Sequence, residues 1–447
     1  MALLSGAVLR QMSLVAAATL GVIVGPVVAP DRADVAWRST VQRGNHDGYQ
    51  CYNAPSIVAL EHCEIAPTVL VAFLEARKEC HDHGVWMDLV SYRSLDVGRT
   101  WTAPRLVHGE SNGSSVNVTV GGPTAVVDKA TGRLIVLMIR NDPRRKSFDI
   151  LLTHSDDCGE SFSPPRDISA SVKPPPGTLG APWGFYATTF RAIQLHSGRL
   201  MACCDHSIDG QLDPYPIDTN HAHVIVSDSG GDTWALGGTI HMNSSDECSV
   251  AQLGSGRVVM NMRNYIDQRT HKVVTAPGHI VRAFADSTDD GATFGPVRFA
   301  ADLPDPICFS DLLRVNASTH GFGDIPSDNM RADDDLLLLS NPSSTVGRRN
   351  LSIHASLDGG HEWQPLLVVE DRGLRGSGYS HMVALPPDPV DGAGRLGVLY
   401  VQDYHVGAQT NGWPAGALDN HTFALVTFRA TRNDRSAEKQ VAWPAEQ

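Results

Sequence analysis

Five polar residues stand where apolar runs begin or end, and their types suit joint chemistry. Asp82 lies in His81-Asp82-His83, beyond the apolar run Val69-Leu70-Val71-Ala72-Phe73. Glu247 lies in Ser245-Asp246-Glu247-Cys248, and Arg263 closes Val259-Met260-Asn261-Met262-Arg263. Arg348, followed by Arg349, precedes Asn350-Leu351-Ser352-Ile353, and Tyr379 stands in Gly376-Ser377-Gly378-Tyr379-Ser380. A carboxyl group can give or take a proton in a transition state. A phenol with a base beside it can act as a nucleophile. Guanidinium groups grip anions through forked, charge-assisted hydrogen bonds. Singly, each residue is most simply a surface charge or a hydrogen-bonded strand end. Together they carry function only if a fold gathers positions spread from 82 to 379.

A repeat supplies such a fold. Ser94-Leu95-Asp96-Val97-Gly98-Arg99-Thr100-Trp101 returns in octapeptides starting at Ser155, Ser227, Ser287 and Ser356, 60 to 72 residues apart. The pattern is Ser-x-Asp-x-Gly-x-x-aromatic, and Ser229 alone departs at the Asp position. A fixed period of this kind marks a propeller or solenoid. Ser and Asp side chains bond nearby backbone N–H groups and shape a turn. Gly supplies positive φ, and the aromatic opens the next strand with a large apolar contact. Each copy therefore reads as a hairpin turn ending one structural unit. Calcium binding would need alternating oxygen ligands and a closing Glu at the twelfth position, which no copy has, so no metal and no cofactor are expected. Gly-Arg pairs at 132–133, 198–199, 256–257 and 394–395 precede strand-like apolar runs, as hairpin turns do. Residues 37–432 hold room for six units, giving an all-β, six-bladed β-propeller of four-stranded antiparallel blades, closed radially so that only short sheet edges remain.

Bulk properties narrow the function. A net charge of −13 argues against nucleic acid, whose phosphates demand a basic face. Arg10 precedes an uncharged run from Gln11 to Pro30, so residues 1–30 read as a signal peptide or a membrane anchor. Six Asn-x-Ser/Thr sequons, at Asn112, Asn117, Asn243, Asn316, Asn350 and Asn420, agree with the secretory pathway. The product is then expected to be secreted, lysosomal or membrane-anchored. Eight cysteines are an even number but too sparse for a disulfide scaffold, and their connectivity stays open. Residues 433–447 form a polar tail.

The octapeptide resembles the Asp-box of the sialidases (neuraminidases), six-bladed propellers that remove terminal sialic acids, and the resemblance covers nearly the whole chain after residue 30. Phe73-Leu74-Glu75-Ala76-Arg77, followed by Asp82 and Asp88-Leu89-Val90, is similar to the family segment carrying the acid/base Asp. Asp246-Glu247-Cys248 resembles the Glu segment, and Asn261-Met262-Arg263 the second arginine of the family's triad. Gly347-Arg348-Arg349 resembles the third, which falls on Arg348; Gly378-Tyr379-Ser380 resembles the nucleophilic Tyr. The resemblance implies a retaining exo-α-sialidase. Tyr379, deprotonated by Glu247, attacks the anomeric carbon without the repulsion a carboxylate nucleophile would meet from the sugar's own carboxylate, and Asp82 is the acid/base. Arg263 and Arg348 hold that carboxylate, and Arg77 contacts substrate. Sialylated glycoproteins, glycolipids or oligosaccharides are the implied partners.

One wall departs from the family. Where the first arginine belongs, the chain reads Tyr52-Asn53-Ala54-Pro55, and the Glu that buttresses it in the family is absent from Leu399-Tyr400-Val401. Losing both avoids a buried Glu without its partner. A charged hydrogen bond is worth about 1.5–3 kcal/mol, so substrate binding should weaken about 10- to 100-fold per bond lost. The expected outcome is a slower or differently selective enzyme. Two alternatives share the same motive: a glycosidase for a related nonulosonic acid, and a sialic-acid-binding propeller without turnover.

Overall fold

The computed structural model describes residues 33–80, 84–110, 116–144, 147–175, 177–178, 181–208, 217–274, 278–316, 320–322, 336–371, 375–405 and 420–428. The apolar segment 1–30, the tail 433–447 and Asp82 lie outside them. The described residues form 24 strands, with helix confined to Ser169–Val172 and a 3-10 turn at Ile217–Thr219. The expected apolar runs are strands: the first lies within Ala66–Arg77, and Leu134 opens Leu134–Asp142.

The strands make six antiparallel four-stranded blades, the first three linked into one continuous sheet by single parallel bridges at Met87↔Thr119 and Arg191↔Ala125. The first is β2 (Cys51–Cys63), β3 (Ala66–Arg77), β4 (Met87–Ser94) and β5 (Arg105–His108). The second is β6 (Thr119–Val127), β7 (Leu134–Asp142), β8 (Ser147–Ser155) and β9 (Arg166–Asp167). The third is β10 (Tyr186–Gln194), β11 (Leu200–Ser207), β12 (Asn220–Ser227) and β13 (Ala235–Thr239). The fourth is β14 (Ser245–Gln252), β15 (Val258–Asn264), β16 (Val281–Ser287) and β17 (Arg298–Pro304). The fifth is β18 (Asp311–Val315), β19 (Leu336–Pro342), β20 (Leu351–Ser356) and β21 (Gln364–Glu370). The sixth is β22 (Arg375–Leu385), β23 (Gly394–His405) and β24 (Asn420–Phe428), completed by the N-terminal strand β1 (Ala33–Gln42), which pairs with β24 from Ala33↔Phe428 to Gln42↔His421.

Apolar packing between neighbouring blades closes the ring. One cluster joins blades one and two, including Val71, Phe73, Val136 and Leu151. Others join two to three through Ile135, Leu152, Leu200 and Ile225, three to four through Met201, Val224, Val250 and Met260, and four to five through Leu253, Phe284, Leu312 and Leu337. Blades five and six meet at Leu338, Ile353, Leu396 and Phe428. Six and one meet at Leu399, Phe423, Leu70 and Tyr92. Each blade buries both faces, which explains why the strands read as continuous apolar runs rather than as alternation.

The Asp-boxes join the third and fourth strands within a blade. They do not end a unit, as their position in the repeat suggests, because the blade boundary falls one strand later. Ser94 Oγ accepts from Gly98 N at 2.7 Å and donates to Asp96 Oδ1 at 2.8 Å, while Asp96 accepts from Thr100 N at 2.9 Å. The box aromatics Trp101, Phe162, Trp234, Phe294 and Trp363 all pack into the cluster shared with the preceding blade. Arginines of the Gly-Arg hairpins reach toward the same turns: Arg133 Nε lies 2.7 Å from Asp156 and Arg199 Nε 2.7 Å from Asp228. Two disulfides, Cys51–Cys80 and Cys63–Cys158, settle part of the cysteine pairing, and the second ties β2 to the box of the next blade. Cys203, Cys204, Cys248 and Cys308 are free and buried.

Candidate active site

First and third strands of a blade run the same way. The boxes follow the third strands, so they crown one end of the ring, and the beginnings of the inner strands lie at the other. At that end five inner strands carry a bulge. On β2, Asn53 to Ser56 spans one residue more than Glu75 to Phe73 opposite it. Gly121–Thr124 on β6, Ser245–Cys248 on β14 and Ser377–Ser380 on β22 repeat the irregularity, and Thr188–Ala192 on β10 enlarges it. A bulge bends its strand and re-aims a side chain. Asn53, Glu247 and Tyr379 all sit at these bulges.

The bulges bring Tyr379 and Glu247 together across 132 residues of sequence. The Tyr379 hydroxyl donates to Glu247 Oε1 at 2.7 Å. Arg263, at the end of β15, donates from Nη1 to the phenol oxygen at 3.2 Å, and the same nitrogen lies 2.9 Å from Glu247 Oε2. Its other terminal nitrogen bonds Asp246 Oδ2 at 2.6 Å, an oxygen that also accepts from Tyr265 at 2.7 Å. Arg348, in the segment before β20, lies with its guanidinium carbon 5.1 Å from the Tyr379 ring centre and donates to the Ile307 carbonyl at 2.8 Å. The structure thus unites Tyr379, Glu247, Arg263 and Arg348.

Burial governs the electrostatics of this group. It pushes the Glu247 carboxyl up to about 7, against the lowering effect of Arg263 and with further raising by Asp246. It pushes the Tyr379 phenol well above its ordinary value, helped by the Glu247 carboxylate and opposed by both arginines. Burial also works against the Arg263 charge, but Asp246 and Glu247 outweigh it and hold the guanidinium firmly protonated. A carboxylate near 7 beside a phenol can accept its proton without being a strong acid at rest.

The remaining expectations divide. Arg77 is buried on β3 and bonds Glu75, whose other oxygen accepts from Gly122 N at 2.7 Å. Glu75 is the cross-strand partner of Asn53, so the Glu75–Arg77 pair stands beside the wall where the family's first arginine is missing. Asn53 itself is buried. Tyr400, on the segment that lacks the family's buttress Glu, donates to Glu370 at 2.8 Å. Sequence reasoning missed the roles of Asp246 and Tyr265. Asp246 adjoins Glu247, and its acidity was the available signal; nothing in the sequence marks Tyr265 as the group that anchors it. Among the described residues no cluster of His, Cys, Asp and Glu has the spacing of a metal site.

Fold and site together define a class: six-bladed propellers with a polar cluster set into the inner-strand bulges at one end of the ring. Within that class the chain belongs to the family of BNR repeat-like domains, which matches residues 69–391. Among its relatives are a sialidase of Micromonospora viridifaciens, 26% identical over 395 residues, and a sialidase of Bacteroides fragilis, 28% identical over 337 residues. These alignments cover 85% and 70% of this chain but 54% of each relative, so the chain spans about half the length of the relatives it matches. Among solved structures, the Hadza microbial sialidase Hz136 matches with a TM-score of 0.65 at 24% identity, over 87% of this chain and 68% of the other. The intramolecular trans-sialidase of Ruminococcus gnavus matches at 0.60 and 15% identity, over 84% of this chain and 95% of its own. At these identities the structures establish the propeller fold.

Proposed function

We propose that the protein is a retaining exo-α-sialidase. The observation that carries this reading is the 2.7 Å hydrogen bond from Tyr379 to Glu247, with Arg263 3.2 Å from the same phenol oxygen. In the first step Tyr379 attacks the anomeric carbon while its proton passes to Glu247. The Asp82 carboxylic acid protonates the departing glycosidic oxygen. In the second step Asp82 takes a proton from the attacking water, the glycosyl–tyrosine bond breaks, and Glu247 returns its proton to the phenol, giving net retention. Arg263 and Arg348 supply the positive charge that a sugar carboxylate needs, and Arg263 also steadies charge developing on the phenol oxygen.

Sialylated glycoproteins, glycolipids or oligosaccharides are the proposed substrates. Passage through the secretory pathway is supported by the two disulfides, which persist in oxidising compartments. Asn53 favours a second reading within the same chemistry, a related nonulosonic acid as the preferred sugar. A fluorogenic sialoside is the direct test. Tyr379→Phe should lose at least about 10⁴-fold in kcat, the scale on which a coupled catalytic set fails. Equal rates from the two proteins would end the proposal, and preference for the deaminated sugar over the N-acetyl form would select the second reading.

A further inference from the structure

At the site end, the bulge of β10 holds a backbone conformation that its residue resists. Phe190 has φ of 69°, the left-handed region that bulky side chains avoid. Such strain persists only where the surroundings over-determine it, and it clusters at functional sites. Here five other blades fix the segment. Thr124 of the second blade accepts from Phe190 N at 2.7 Å. The Phe190 carbonyl accepts from Ser56 of the first blade at 3.1 Å and from His381 Nε2 of the sixth at 3.0 Å. Its neighbour Thr189 donates to the Cys248 carbonyl of the fourth blade at 2.9 Å. On its other side Arg191 bonds Asp311 of the fifth blade and donates to the Met382 carbonyl of the sixth at 2.8 Å.

The held conformation delivers a ring to the site. Phe190 is buried against Ala54 and Phe309, and Tyr379 packs on the same cluster. The Phe190 and Tyr379 ring centres are 5.7 Å apart at 39°, and Phe309 meets Tyr379 edge-on at 6.0 Å. Ala54 directly follows Asn53, so this aromatic wall adjoins the place that carries no arginine.

We infer that Phe190 is a positioning residue: its strained backbone holds an apolar wall that fixes the Tyr379 phenol on Glu247 and shields the inner face of its ring from water. The inference rests on the proposed sialidase chemistry for its kinetic consequence but not for its structural one. The charged and titratable groups facing the phenol are Glu247 on β14, Arg263 on β15, Arg348 before β20 and Cys308 before β18. None is altered by replacing Phe190.

Two variants test the wall. Phe190→Gly suits the backbone and removes the ring; Phe190→Leu keeps apolar bulk and guards against a folding failure of the first. With a fluorogenic sialoside, Phe190→Gly should lower kcat about 10- to 100-fold, the scale of a small misplacement of a reacting group, with little change in KM. Phe190→Leu should recover part of the loss. A ligand-free measurement separates this inference from the sialidase reading. In protein whose tyrosines carry carbon-13 at Cζ, the Tyr379 resonance, identified by its loss in Tyr379→Phe, should stay constant up to about pH 10, the ordinary tyrosine value, and in Phe190→Gly should titrate at a lower pH than in the parent. If the parent hydrolyses no sialoside, the sialidase reading falls while the resonance still decides the role of Phe190. A phenol that titrates identically in parent and both variants overturns the wall.

Discussion

At the box end of the ring, the same contact recurs from blade to blade. The box glycines Gly98, Gly159, Gly231 and Gly291 press against Phe423, Val71, Ile135 and Met201 of the preceding blade, all at positive φ. At the site end the inner-strand bulges recur as well, but their occupants do not: Asn53, Gly122, Phe190, Glu247 and Tyr379 stand at comparable places. Repetition at one end specifies how blades stack, and the departure from repetition at the other end builds chemistry. The difference extends to energetics. At the box end the Ser and Asp side chains satisfy their own turns and positive φ recurs at one place in each box, as at Val97, Cys158 and Asp290, whereas the site end keeps a buried carboxyl group, a buried guanidinium and a strained phenylalanine close together.

If that division is right, a change at the site end should hurt activity while sparing or helping stability. Glu247→Gln is the strongest case. Removing the proposed general base should cost about 10²- to 10⁴-fold in kcat, and should abolish the acid limb that Glu247, raised to about 7, would place on the kcat/KM profile. The stability effect runs the other way. A carboxyl raised from 4.5 to about 7 binds its proton more tightly folded than unfolded. It therefore costs nothing below about pH 4.5, and its ionisation burdens the fold progressively until about pH 7. At 1.36 kcal/mol per unit the burden reaches about 3 kcal/mol. Thermal unfolding of Glu247→Gln against the parent should show a higher Tm at pH 8 and no gain at pH 4. A lower Tm at pH 8 would mean that the ion pair with Arg263 outweighs burial.

Changes at the box end should do the reverse. The Cys63–Cys158 bridge closes a separation of 95 residues across the first blade interface. Its removal by paired serine substitutions should cost about 2–5 kcal/mol, with kcat at moderate temperature unchanged. Gly98→Ala should cost about 1–3 kcal/mol, because the residue has φ of 83° and a Cβ there would overlap the Phe423 ring. Denaturant unfolding measures both, and a fall in kcat without a fall in stability in either variant would blur the contrast between the two ends.

The same division explains what could be read before any fold was known. The boxes are local, so five octapeptides announced five blades and their period. The sixth blade carries no box, because its fourth strand is β1 from the other end of the chain, and no local pattern signals a partner nearly 400 residues away. Glu247, Arg263, Arg348 and Tyr379 were legible as a series in order, since a propeller converts order around the ring into proximity at one end. Phe190 was not. Ala187-Thr188-Thr189-Phe190-Arg191 reads as plain strand, and its strained φ arises from contacts with five other blades. Asp246 and Tyr265 escaped notice for the same reason: positioning a guanidinium is a property of three dimensions.

The smallest expected effect comes from the one imperfect box. At Ser229 the hydroxyl replaces the usual Asp and keeps two of its contacts, with Thr233 N at 2.7 Å and Thr233 Oγ1 at 2.8 Å, while its distance to Ser227 Oγ stretches to 3.3 Å. In the next blade Asp289 makes the equivalent bond from Ser287 at 2.8 Å, and hydrogen bonds from Thr293 hold its carboxyl below the ordinary range. Ser229→Asp should recover the short bond and make it charge-assisted, a gain of about 0.5–1.5 kcal/mol, reduced by the neighbouring carboxylates Asp228 and Asp232. Because an Asp so held is depressed in the folded state, the gain should be complete above its unfolded value and disappear as pH falls through the folded one. Tm of the variant against the parent at pH 7 and pH 3 reads this directly, with a larger rise at the first than at the second. Activity should not move, since the turn lies at the end of the ring away from Tyr379. A rise in Tm accompanied by a change in kcat would show that the two ends of the blade are coupled.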